Sequence, residues 1–482
     1  MSVVETRFNK VQAVVLLAVS LGACVSNEPK PLPTPVLPER VAAREAMPAS
    51  LVAPNSMGIL KIDRWWSRFG NEELNRLVEK GLVSSPDIRI AETRVIQAKA
   101  RSEQARAGSY PSITGSLGRS QQAPYDSDTG AGDPVKVYQG VLKGNFRLDV
   151  WGEQSAIERS AVLRVTQAEF DKANTQRIVT ANIVSAYFSY LVLNDRLRLS
   201  REIDRVLSRM HTVVDSRFRT GDATVLEFEQ QRGGLYAFRA SIPVIEQERE
   251  ELGARILTMV GAVPGEMALP DDGLATLSLP TIQQEVPTAV VFGRPDVRAV
   301  EARLHAAGAD IDLARARLLP AIDLSASIGL GSKSMAGLLS PGAFFWGTVG
   351  NVVGAIFDNG RRKNEIVFSE AVKAEVAETY LRTVYQATRE IENALNGVLN
   401  GDSHVRSREV AAEATERSWR VVTKAYEYGA ADIRSLLDAE RAHYRYQEEY
   451  LRAQADQFRS LVTFYQSLGG GVLENTINVA LN

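Results

Sequence analysis

The chain of 482 residues contains a single cysteine, Cys24, so no disulfide can staple it internally. Its four histidines (His211, His305, His404, His443) are scattered, and no Cys/His cluster has metal-ligand spacing. No metal site is therefore expected. A charge excess is missing too: the net charge is −2, which argues against the basic stripe of a nucleic-acid binder. Aromatic residues make up only 7%, and no segment reaches the roughly 18 continuous apolar residues of a membrane-spanning helix. G-x-S-x-G, H-E-x-x-H and P-loop patterns are absent. These gaps point to a non-enzyme with no catalytic residue and no cofactor. Asp149 and Asp358, beside strand-like segments, read as lumen-facing or turn-stabilising groups.

Proline and glycine are absent in a patterned way. Neither occurs from Glu153 to Thr220, and no proline follows Pro341. An uninterrupted helix of that length spans on the order of 100 Å, too long for a compact domain. Within it Leu199, Ile203, Val206, Met210 and Val213 step by four and three, the pattern of a left-handed coiled coil. The stretch from Arg361 to Tyr428 is its counterpart, though Gly397 and Gly401 predict a break or kink there.

Apolar residues are concentrated where export would need them. Arg7 and Lys10 precede the run "VQAVVLLAVSL", which is too short to span a bilayer but suits a signal-peptide core. The run ends at "LGAC", which resembles a bacterial lipobox with Cys24 as the lipid-bearing residue. The alternative is an ordinary secretory signal beside a stray thiol. Val25 follows the cysteine instead of aspartate, which favours the outer membrane. "PKPLPTPVLP" then forms an extended tether.

The chain also repeats itself. Between Pro86 and Ile113, twelve of 28 positions match those 209 residues further on, with "SPDIRIAETRV" echoed by "RPDVRAVEARL". In each copy a Pro-Asp pair opens a helix, with proline early and the acid near the positive dipole end. The expected units are a signal peptide (1–23), a lipidated N-terminus and tether (24–64), and two repeats (65–280 and 281–482). Copy one carries a helix over 86–108, strands over 113–121 and 137–149, and long helices over 153–220 and 222–260. Copy two carries a helix over 295–318, strands over 321–333 and 344–357, and long helices over 361–428 and 430–468.

The strands alternate apolar with polar residues and match the length that crosses an outer membrane when tilted. Four strands cannot close on themselves, because an open edge in lipid leaves backbone groups unpaired. Closure demands an oligomer: eight strands from a dimer, twelve from a trimer.

Several motifs carry a family resemblance: "WWSRF", "LDVWGEQ", "RFRTGDATVLEFEQQR", "RPDVRAVEARL", "IFDNGRR" and "YEYGAADIRSLLDAERAHY". Together they resemble the TolC-type outer-membrane factors, in particular the NodT-like and OprM-like efflux lipoproteins. The resemblance implies an α+β fold made of a duplicated helix–β-hairpin–long-helix unit. It further implies a homotrimer with a 12-stranded outer-membrane β-barrel continuous with a periplasmic α-helical barrel. Such a protein is an exit duct that meets a periplasmic adaptor and an inner-membrane RND-type pump. The same architecture would serve type I protein secretion, and a structural coiled-coil envelope lipoprotein is the third reading. The turns holding Arg219, Gly221 and Asp222, and Tyr428, Gly429 and Asp432, resemble the adaptor-docking tips. Asp438 resembles the acidic residue that narrows the tunnel end. Arg434 stands one turn earlier where relatives often carry an apolar residue, so an Arg434–Asp438 surface pair is the competing reading.

Overall fold

The computed structural model describes residues 35–42, 64–123, 125–126, 130–131, 134–263, 265–282 and 285–470. The expected signal peptide, Cys24 and most of the tether lie outside the described residues. The first element is β1 (Arg40–Ala42), followed by a short 3-10 turn over Trp65–Phe69. Next come α1 (Glu72–Ser84) and α2 (Pro86–Ala107). The Asn71 carboxamide caps α1 by accepting from the Leu74 amide at 2.8 Å. Strands β2 (Ser112–Gln122), β3 (Tyr125–Asp126), β4 (Gly130–Ala131) and β5 (Val135–Leu148) lead into α3 (Glu153–Thr220), 68 residues without a break.

The return from α3 differs from the sequence expectation. The single helix expected over 222–260 is two, α4 (Val225–Arg239) and α5 (Ile242–Met259). Pro243 lies in the first turn of α5, where its missing N–H does no harm, but it could not continue a helix arriving from α4. After β6 (Glu285–Pro287) and the short α6 (Ala289–Gly293) comes α7 (Pro295–Ala316). Strands β7 (Ala321–Ser332) and β8 (Phe344–Val353), then α8 (Arg361–Glu427) and α9 (Ile433–Ser467), complete the second copy.

Three further differences have local causes. No break occurs at Gly397 or Gly401, since α8 is one continuous 67-residue helix. Both glycines face α9: a Cβ on Gly401 would sit 3.4 Å from the Gln457 Cα, and one on Gly397 3.6 Å from the Ser460 hydroxyl, which is ordinary packing contact. Strand β8 stops at Val353 and not at 357, because its partner β7 begins at Ala321, just after Pro320, so the ladder has nothing left to pair with. Finally, β1 pairs antiparallel with β6, so part of the expected tether is a strand tied to the second repeat.

The four long strands form one antiparallel sheet in the order β2-β5-β7-β8, with β2 and β8 at its free edges. Register sorts its faces. Leu117 pairs with Gly140, Leu142 with Ile328 and Ile328 with Trp346, giving one face dominated by Leu, Ile, Phe and Trp. On the other face Thr114 pairs with Lys143, Lys143 with Ser327 and Arg147 with Asp323. The apolar face is bare, with Trp346 71% exposed.

The principal core lies around the middle of α3. Phe69, Phe188 and Phe458 meet edge-on or tilted, with ring centroids 4.9–6.2 Å apart, and Trp65 stacks on Tyr465 at 5.3 Å. Among the buried polar side chains of this region Arg294 is only 1% exposed. It donates to Asp296 and Glu390, each at 2.7 Å, and to the Ser467 carbonyl at 2.9 Å. Arg177 donates to Asp296 at 3.4 Å and to the Gln466 carbonyl at 2.9 Å. The network ties a residue of the first copy to three of the second and to the end of α9.

Candidate functional site

Three regions have functional potential: the sheet, the two helical turns, and the helix surface that follows the second turn. At the foot of the sheet the aspartates flagged in the sequence act locally. The Asp149 carboxylate accepts from the amides of Gln154 and Ser155, both at 2.9 Å, and so caps α3. Asp358 likewise accepts from the Gly360 amide at 3.1 Å and pairs with Arg362 at 2.7 Å. Each is followed by a glycine in the left-handed region, Gly152 (φ 75°) and Gly360 (φ 82°). Both copies therefore turn from strand into long helix by the same device.

At the far end of α3 the chain reverses through Gly221 at φ 84°, and α8 ends at Gly429 with φ 75°. The Asp222 amide donates back to the Arg217 carbonyl at 2.7 Å, and the Ala430 amide to the Ala425 carbonyl at 2.7 Å. Thr224 and Glu227 form a capping box that starts α4. Asp432 plays the matching part for α9, accepting from the Ser435 amide at 2.6 Å. That backbone donor holds the Asp432 carboxyl below its ordinary range. Arg219 pairs with Asp215 at 2.9 Å, Asp222 accepts from the Thr220 hydroxyl at 2.9 Å, and Tyr428 is 85% exposed.

The structure brings the two turns together, which the sequence did not reveal. The Arg217 guanidinium lies 4.9 Å from the Tyr426 ring centroid and donates to the Tyr426 carbonyl at 3.2 Å. Beneath it Met210, Val214, Tyr426, Ile433 and Leu436 form a small apolar core of their own. Val225 and Leu226, missed in the sequence, stand exposed beside the first turn. Their only sequence signal was two large aliphatics directly after a capping threonine.

Beyond the turns, α9 has two contrasting sides. Arg434 and Asp438 are both exposed, and no ion pair joins them among the described residues, so the surface-pair reading is not realised. On the opposite side Glu440 is only 2% exposed and its Oε1 has no hydrogen-bond partner. Burial pushes this carboxyl up to about 7, with Arg441 pulling weakly the other way. The Tyr444 hydroxyl one turn on is also unpartnered, as is the His443 Nδ1. The His443 ring stacks parallel on Trp419 at 4.8 Å. Gln231 on α4 is fully buried with both amide ends unpartnered.

The comparisons with known proteins fit this geometry. The family model for outer membrane efflux proteins matches residues 77–262 and 290–470, the two copies of the repeat. The chain is similar to the pyoverdine export outer membrane protein OpmQ of Pseudomonas putida, at 27% identity over 95% of this chain and 97% of that one. It is similar to the cation efflux system protein CusC of Escherichia coli, at 24% identity over 84% of this chain and 88% of that one. The solved outer-membrane channel OprN shares the fold with a TM-score of 0.81, at 24% identity, covering 92% of this chain and 99% of that one. With more than two thirds of its length under the family model, the chain belongs to the outer membrane efflux protein family.

Proposed function

We propose that three copies of this chain close a twelve-stranded barrel in the outer membrane and continue below it as a helical tunnel through the periplasm. The assembly is the passive exit duct of a tripartite efflux system and catalyses nothing. The observation that carries this reading is the four-stranded sheet with two free edges, one apolar face and two helices of nearly 70 residues hung from it. An edge strand in hydrocarbon leaves its N–H and C=O groups unpaired at several kcal/mol each, so β2 of one subunit must pair with β8 of the next. The apolar face then meets lipid and the polar face lines the lumen. Lipidation at Cys24 anchors the chain, and the turns at Gly221 and Gly429 form the end that meets the periplasmic adaptor and, through it, an RND-type pump. The names of the relatives run from pyoverdine export to cation efflux, so the shared fold does not by itself fix the cargo.

Asp438 narrows the tunnel end in this account, since three symmetry copies make an anionic ring. The purified protein is expected to form ion-conducting pores in planar bilayers, and Asp438→Ala to raise their single-channel conductance. An unchanged conductance would remove Asp438 from the gate, while a complete lack of pores would overturn the duct itself.

A further inference from the structure

The exposed charges on one side of α9 and on the polar face of the sheet differ in sign from the chain as a whole. The chain is net negative, at −2. Arg434, Asp438, Arg441 and Arg445 nevertheless form one exposed stripe on α9. At 100° per residue these positions fall within an arc of about 60°, and 11 residues of helix spread them over about 16 Å. The opposite side of α9, with Ile433, Leu436, Glu440 and His443, is buried. Helix α9 packs on α8 and α3 of its own chain, so the stripe is a free surface of the helical wall within the protomer.

The arginines of this stripe are poorly neutralised. Arg445 reaches Glu449 at only 3.7 Å, and neither Arg434 nor Arg441 forms an ion pair among the described residues. Asp438 is the only carboxylate within that arc; Glu448 and Glu449 flank it about 20° outside, but Glu448 is held by Arg196 and Arg452 and Glu449 by Arg408. The sheet supplies an independent second set. Its polar face carries Lys143 and Arg147 against Asp323 alone, and Arg147 and Asp323 pair with each other at 2.8 Å. Lys143 is left as the uncompensated charge of that face. Both sets thus carry a positive surplus.

We infer that the duct is selective for anions, with Arg434, Arg441 and Arg445 at the tunnel end and Lys143 in the barrel setting the preference. The inference rests on the duct reading above and on Asp438, with the stripe around it, facing the tunnel. Rings of like charge in a narrow water-filled passage with low-dielectric walls concentrate the opposite ion. Neighbouring rings on the stripe lie closer together than the roughly 8 Å Debye length at physiological salt, so their fields overlap. The cargo class that fits is a small organic anion bearing carboxylate, phosphate or ionised phenol groups, which arginine forks bind in two-point fashion. A duct with this lining favours such molecules over amines and metal cations of similar size.

Reversal potentials across a planar bilayer holding a KCl gradient test the inference on the full-length protein. The wild type is expected to pass chloride more readily than potassium. The double variant R441Q/R445Q is expected to lower the chloride-to-potassium permeability ratio by at least about twofold, and Lys143→Gln to lower it independently. Asp438→Asn is expected to move the ratio the other way. Lys143→Gln lies on a sheet face exposed to solvent, so it keeps the test open should the double variant fail to assemble. A cation-selective wild type, or arginine and lysine variants that leave the ratio unchanged, overturns the inference. If Asp438→Asn changes conductance while those variants do not move the ratio, the duct stands and the anion preference falls. If no variant and no wild type conducts, the duct reading fails first.

Discussion

Arg294→Ala is expected to destabilise the protein by about 3–5 kcal/mol, the usual cost of removing one partner from a buried charge network. The guanidinium is 1% exposed and serves three acceptors at once: Asp296, Glu390 and the Ser467 carbonyl. Truncation takes the guanidinium from the Glu390 carboxylate and the Ser467 carbonyl, and leaves Asp296 with Arg177 and the Val297 amide alone. Arg177 stays in place but donates to Asn174, Asp296 and the Gln466 carbonyl, so Glu390 loses its guanidinium partner outright. Because the network joins α3, α7, α8 and the end of α9, the oligomer should dissociate at markedly lower temperature on a heat-titrated gel. Arg294→Lys should recover only part of the loss, since an ammonium cannot reproduce the guanidinium fork.

The same network gives a pH signature. Burial alone would raise the Asp296 carboxyl, but the Arg294 hydrogen bond and charge, with Arg177 behind it, outweigh burial and hold it below the ordinary range. A depressed carboxyl contributes stability above its unfolded value, near 4, and loses it as pH falls through the folded value. The network therefore supports the fold at neutral pH and fails in acid.

Glu440→Gln is expected to act in the opposite sense, making the tip-proximal helices more stable at pH 8 by about 3 kcal/mol. The wild-type carboxyl is buried without a partner on Oε1 and is pushed up to about 7. A raised carboxyl favours the fold fully below its unfolded value of about 4.3, and that contribution disappears as pH rises through the folded value. Stability near the tip should thus decline between about pH 4 and pH 7 in the wild type and stay level in the variant. Arg441 on the same helix is the charge that acts on Glu440, and Tyr444 lies in its field. His443 next to it is lowered by burial, with Glu416 and Arg420 of α8 and Glu202 of α3 around it. Hydrogen exchange of α9 amides at pH 5 and pH 8 reads the difference directly. Equal pH dependence in wild type and variant would show that Glu440 is not the titrating group.

These two side chains also mark the limits of what could be read from the sequence. The long helix of residues 153–220 was legible to the residue, because Gly152 and Gly221 punctuate it and nothing between them disfavours a helix. "RPDVRAVEARL" was visible as a helix opening, with Pro295 at the first position. Its arginine, however, read as one more solvated charge. Two of its three acceptors stand 96 and 173 residues away, and no local pattern announces them. The first copy misleads as well, since Ser85 occupies the equivalent place and makes no such network.

The errors on helix continuity have one origin. What a glycine or proline does in a helix is decided by its neighbours as well as by its type. Gly397 and Gly401 have poor helix propensity, yet both sit inside a continuous α8 on the side that packs against Gln457 and Ser460 of α9. The real break, at Ala240 and Ser241, was signalled by Pro243, which ends one helix by opening the next. Among the tip residues, Gly221, Gly429 and Asp432 have clear conformational duties. Arg217, which links the two turns through Tyr426, was invisible because the contact crosses 209 residues of chain.

The central claim is that the free edges of the sheet are closed by other copies of the same chain. The most direct test is the mass of the full-length protein extracted in mild detergent, measured by native mass spectrometry or light scattering with the detergent contribution removed. The account predicts a particle of three chains that yields monomers only on heating. A stable monomer that still inserts and conducts would contradict it.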